Sequence, residues 1–267
     1  MDIVLQGSFA TISPGFPHGW TRHGSYDGGV KDPRRIPVMT DALTRLWEAR
    51  PDLTLTRLLG LLETHGADWN ATDEETLAVL RRLSSETPER LDDPAGRYLV
   101  TTENSAGVAT QLVTVGVDRV AVRRIPASRT DAVHDLPQPV VWEHSGVRSC
   151  HVATPLVITD TEGIAHRMGL VSSIRVIAAP GEDAPVTSLD GLRRRTLDGV
   201  YLLELEDASL LLDRTAWLFT TGRRDLHRER LTWARLLDCT VGAPLRIALD
   251  GGEVRELPEL RRITVLE

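Results

Sequence analysis

The sequence predicts an α+β protein in which an N-terminal three-helix unit precedes a β-rich barrel or sandwich domain with one late helix. Three observations predict this. Apolar residues fall at helical spacing three times between Ile36 and Leu83, with a breaker after each run. Beyond Gly96 the periodicity changes from the helical repeat to alternation, and short alternating runs separated by turn residues continue to the last residues. Only one later stretch, Arg223 to Asp238, returns to helical spacing.

Each element follows from local chemistry. Met39, Leu43, Leu46 and Trp47 form one stripe of a helix that Pro51 ends. Leu55, Leu58, Leu59 and Leu62 repeat the pattern, and His65-Gly66 offers a glycine able to close the helix. This second helix has few polar residues, so it is expected at the centre of the unit, with Trp47, Leu55, Leu58, Leu59 and Leu62 buried. Thr72-Asp73-Glu74-Glu75 reads as a capping box opening a third helix that turns Leu77, Leu80 and Leu83 inward. None is long enough to be stable alone in water.

The string Arg35-Ile36, Leu46-Trp47-Glu48, Pro51-Asp52-Leu53, Leu55, Leu58-Leu59 and Thr72-Asp73-Glu74 resembles a small helical family of uncharacterised bacterial proteins, through a W-x-x-x-P-D-L-x-L pattern. The resemblance covers residues 35–83 and implies helices there. It implies no activity.

The polar stretch Ser84 to Gly96, with Pro88 and Asp92-Asp93-Pro94, is the expected boundary. It gives an arm and helical domain over 1–92 and a β-rich domain over 96–267. Strands are expected at Tyr98–Thr102, Ala109–Val115 and Arg119–Ile125, the last two joined through Gly116-Val117-Asp118. More follow at Val140–Glu143, Ser149–Thr159 and Leu170–Ala178, with Pro155 marking an edge or a bulge. Val200–Leu205, Ser209–Leu212 and Ala216–Thr220 precede the helix, which turns Leu226, Trp233, Ala234 and Leu237 inward. Leu245–Leu249, the turn Asp250-Gly251-Gly252, Val254–Leu257 and Arg262–Leu266 close the chain. No internal repeat is read.

Composition limits function. The chain has 267 residues and a net charge of −7, which disfavours nucleic acid as a partner. Lys31 is the sole lysine among 31 basic residues, which points to arginine-rich coding before any demand for guanidinium chemistry. No apolar run approaches the length of a membrane span and the start shows no leader pattern, so a cytoplasmic protein is expected. Cys150 and Cys239 suggest no disulfide framework.

Chemically capable side chains concentrate between Glu143 and His166. A hydrolase or transferase would use Cys150 as nucleophile, His144, His151 or His166 as base and Asp160 as orienting group. Cysteine within a strand is by default a small core residue. Three nitrogen or sulfur ligands at unfamiliar spacing, with Cys150 and His151 facing opposite ways, make a poor metal site, and no cofactor is indicated. His18 and His23, in a glycine- and aromatic-rich arm, and the triplet Arg193-Arg194-Arg195 are candidate binding residues. If a site exists, it is expected where that arm meets 143–166. The leading expectation is a non-catalytic interaction or regulatory protein of a bacterial cytoplasm, binding a protein or small molecule through its β-rich domain. The alternative is a hydrolase or transferase using the 143–166 cluster.

Overall fold

A computed structural model describes residues 32–92, 94–126, 139–181, 185–221 and 226–266. The expected arm, with His18 and His23, lies outside the described residues. Among the described residues, three helices, α1 (Arg35–Glu48), α2 (Leu55–Thr64) and α3 (Asp73–Glu86), are followed by strands and one 3-10 turn, Arg194–Thr196. Thr72 and Glu75 form the expected capping box, and Gly66 closes α2 in the left-handed region at φ +99. Thr54, which the sequence reading passed over, accepts a hydrogen bond from Arg57 N and caps α2.

The order of burial in the helical unit differs from expectation. α1 packs chiefly on α3, and α2 contributes only Leu58 and Leu62 to the fully buried core with Leu46, Leu80 and Leu83. Trp47, Leu55 and Leu59 are exposed, Leu59 by 50%. Leucine on every face of α2 reads as a central helix, but only one of those faces meets α1 and α3. Leu58→Ala should therefore cost about 2–5 kcal/mol in chemical denaturation. Leu59→Ala should cost less than about 1 kcal/mol.

Strands β1 (Arg97–Glu103), β2 (Ala109–Val115), β3 (Arg119–Arg124), β4 (Val140–Ser149), β5 (Pro155–Asp160) and β6 (Ala165–Ala178) form a closed antiparallel barrel in sequence order. Val100, Val113, Leu156 and Ile158 are fully buried within it. Pro155 does not mark an edge. It opens β5 at a register shift, where a missing N–H costs no ladder bond, and β5 pairs on both sides.

Strands β7 (Tyr201–Leu205), β8 (Ala208–Leu212), β9 (Ala216–Thr221), β10 (Leu226–Leu231), β11 (Trp233–Asp238), β12 (Pro244–Leu249) and β13 (Val254–Val265) form one curled sheet ordered β10-β9-β8-β7-β13-β12-β11. The expected late helix is thus two strands. Of the residues expected inward, Trp233 is buried and Ala234 and Leu237 are only partly so, while Leu231 and Leu236 are buried instead, with register shifts between Trp233 and Arg235 and between Leu236 and Asp238. The last two expected strands are one, β13, with Pro258 at a shift between the residues that pair with Pro244 and Leu245.

The two β units repeat one plan, which corrects the reading of no internal repeat. Only Thr232 separates β10 from β11, so the two edges of the curled sheet are halves of one bent strand. β4 is used in the same way, pairing with β3 through Val140–Glu143 and with β5 from His144 onward. Cys150, Val152, Pro155, Leu156 and Ile158 recur at identical spacing as Cys239, Val241, Pro244, Leu245 and Ile247. Leu91 N bonds to Cys150 O and Val152 N to Glu89 O, and Leu189 N bonds to Cys239 O and Val241 N to Thr187 O in the same pattern. Ala153, the one non-glycine residue with positive φ among the described residues, takes the place of Gly242. Its φ of 65 is forced by the turn that the glycine adopts without strain.

The repeats meet through corresponding faces. Ala121 and Val141 of the barrel pack with Val200, Leu202, Leu211 and Leu266 of the curled sheet, and Trp217, the counterpart of Ala121, lies against them. Ion pairs cross the same junction: Arg119 with Glu204, Arg123 with Asp213 and Arg262 with Asp118.

Candidate ligand cleft between the repeats

The residues of the 143–166 cluster have separate structural tasks, although His144 and Asp160 are cross-strand register partners. His144 is 7% exposed, and its Nε2 lies 2.9 Å from Gly116 O. A carbonyl only accepts, so Nε2 carries the proton and the imidazole ties β4 to the end of β2. Its counterpart Trp233 does the same, its Nε1 donating to Asp213 O at 2.8 Å, at the corresponding end of β8. Two different rings making one tether at one position identify it as a requirement of the barrel.

Cys150 and Cys239 likewise share one core position, and burial pushes each thiol up to about 12. Neither forms a disulfide. A nucleophilic cysteine needs the opposite shift. In the folded protein, both thiols should stay unreacted with an aromatic disulfide reagent at pH 8 and react only on unfolding, as read by thiolate release. Prompt reaction of one thiol in the native protein would support the nucleophilic reading.

His151 Nδ1 donates to Val152 O at 2.9 Å, and its own carbonyl accepts from Thr154 Oγ1 at 2.8 Å. Asp160 and His166 do come together, with Oδ2 and Nε2 2.7 Å apart, and the Trp142 ring lies 4.6 Å from the imidazole. The other oxygen of Asp160 accepts from Glu162 N and Ile164 N and so builds the β5–β6 turn. The hydrogen bond to His166 is the main cause that holds the Asp160 carboxyl below the usual carboxylate range, with the two turn amides adding to it. This pair sits at a hairpin end, and no grouping of three potential metal ligands occurs among the described residues.

The arginine triplet diverges in its uses. Arg193 joins a single backbone bridge to Arg235, and Arg194 pairs with Asp250 at 3.0 Å. Arg193 and Arg195 are exposed.

A cleft does form where the repeats meet, with a volume of about 710 Å³. Val140, Val141 and Glu143 of the barrel form one wall, and the sheet supplies the other through β7–β10. No family model, curated protein or solved structure matches the chain. The site therefore stands on its geometry.

On the sheet wall two cross-strand rows lie side by side. Leu202, Leu211 and Trp217 are register partners, as are Glu204, Ser209, Phe219 and Arg228. Arg119, 11% exposed, binds Glu143 at 2.9 Å and Glu204, closing one end of the cleft with a charged bridge. Arg262 Nε lies 2.7 Å from the second oxygen of Glu204. At the other end the Arg228 guanidinium stacks 3.7 Å over the Trp217 ring. Apart from Glu143, none of these residues is among the sequence's candidates, since each sits in an ordinary strand far from the others. The matched Cys-to-Ile runs were the available signal, because aligning them sets the two repeats face to face.

Proposed function

We propose that this is a non-catalytic binding protein whose ligand lies in the cleft between its two β repeats. The observation that carries this reading is the cleft itself: apolar side chains from each repeat, Val140 and Val141 on one wall and Leu202, Leu211 and Phe219 on the other, beside charged groups, and a volume within the range of small-molecule sites. Against a hydrolase or transferase stands the use of His144 and Cys150 at positions that the second repeat fills with Trp233 and its own cysteine. Those groups are needed by the barrel whether or not anything is bound. The described chain has no helix long and apolar enough to cross a membrane. A bacterial cytoplasmic setting fits this reading and adds nothing to its test.

Val140 lines the cleft and is 67% exposed, so Val140→Trp can fill the cleft without disturbing a core. Saturation-transfer NMR with a mixture of drug-sized fragments should show binders to the wild type that Val140→Trp loses at unchanged melting temperature. Binders that the variant keeps would place the site elsewhere.

A further inference from the structure

The way the cleft's charges are already met also names the ligand's chemistry, an inference that rests on the cleft being the binding site. We infer that the cleft takes an uncharged, elongated apolar molecule with one hydrogen-bonding group, such as a primary alcohol, seated at Ser209.

The charged residues lining the cleft are Arg119, Arg228, Glu143 and Glu204, so their formal charges cancel. Arg119 binds Glu143 at 2.9 Å and also Glu204, and Arg262 Nε lies 2.7 Å from the second oxygen of Glu204. The Arg228 guanidinium lies 3.7 Å over the Trp217 ring and 6.0 Å from the Phe219 ring. The protein thus engages each of these charges itself. A lone charge carried in by a ligand would lose its hydration and find no uncommitted partner.

Ser209 is the contrast. It is part-buried, lines the cleft, and its hydroxyl bonds to no described residue. A hydroxyl both donates and accepts, so it suits a neutral polar group. Its cross-strand partner on β7 is Glu204, so an anionic end placed here would face a carboxylate, and a cationic end would compete with the two arginines that hold it. The counterpart of Ser209 in the barrel is Leu112. The plan of the repeat therefore accepts leucine at this position and has no need of the hydroxyl. Leu211 follows two residues later on the same face of β8, and its register partner Leu202 and the facing Val140 and Val141 extend the apolar surface over which the rest of the ligand lies.

The test compares 1-octanol, octanoate and octylammonium at pH 7 by calorimetric titration of the full chain. Octanol should bind at least about tenfold more tightly than either ion. Ser209→Ala should weaken octanol about fivefold, Ser209→Thr should retain most of the affinity, and Val140→Trp should abolish binding. Either ion binding as tightly as octanol would overturn the uncharged ligand and leave the cleft reading standing. Absence of octanol binding, in a protein whose fragment binders are still lost on Val140→Trp, would do the same. Octanol affinity unaltered by Val140→Trp would overturn the cleft itself. Affinity unaltered by Ser209→Ala would refute the seat at that hydroxyl.

Discussion

Trp233→Ala should destabilise the protein by about 3–5 kcal/mol, the largest single-residue effect expected in the curled sheet. The indole is fully buried among Leu203, Leu210, Leu236 and Ile247, and its removal opens a cavity that flanking strands cannot fill. It also leaves Asp213 O without the Nε1 donor that now reaches it at 2.8 Å. Trp233→Phe separates the two losses, since it keeps most of the volume and forfeits the hydrogen bond, and should cost about 1–3 kcal/mol. His144→Ala makes the equivalent change in the barrel. The imidazole is smaller, so the cost should be nearer about 2 kcal/mol. Denaturant titrations monitored by circular dichroism measure all three. If His144→Ala were neutral to stability yet abolished a measured activity, the tether would not be the reason for histidine at that position.

Arg119→Ala should cost about 2 kcal/mol and loosen the junction between the repeats. Its guanidinium is 11% exposed and serves Glu143 and Glu204 together. Breaking a buried ion pair by removing one partner costs about 3–5 kcal/mol. Glu204 and Glu143 are respectively 28% and 55% exposed, and Arg262 still reaches Glu204, so solvent and that second arginine recover part of the loss. Hydrogen exchange should then quicken at Val200–Leu202 and Leu211 more than in the α1–α3 pair. Uniform quickening across the chain would mean that the bridge supports the whole fold and not the junction.

How far the sequence revealed this molecule depended on whether the determinant was local. The capping box at Thr72 and Glu75, the end of α1 before Pro51 and the Gly116–Asp118 hairpin are set by neighbours in the chain, and each was legible. α2 misled because propensity and composition cannot say which apolar face will find a partner: Leu58 did and Leu59 did not. The stretch around Trp233 misled because apolar Trp233, Ala234 and Leu237 fall at helical spacing, whereas the bulged strand buries Trp233 and Leu236. Closure of the barrel depends on β1 meeting β6 across the whole unit, a pairing with no local signature. The candidate site was illegible for a related reason. Chemical types that attract notice, His144 and Cys150, had been drawn into the core, whereas the cleft mixes apolar residues with Arg119, Glu143, Glu204 and Arg228 from strands that only the fold brings together.

The most direct measurement is a methyl chemical-shift map of the full chain, with valine and leucine methyls labelled and a fragment that binds the wild type titrated in. The account predicts saturable shifts concentrated at Val140, Val141, Leu202 and Leu211, on both walls of the cleft, with the methyls of Val147 and Leu156 inside the barrel unmoved. Saturable shifts centred on the Asp160–His166 hairpin or on the exposed leucines of α2, with the cleft methyls unmoved, would contradict it.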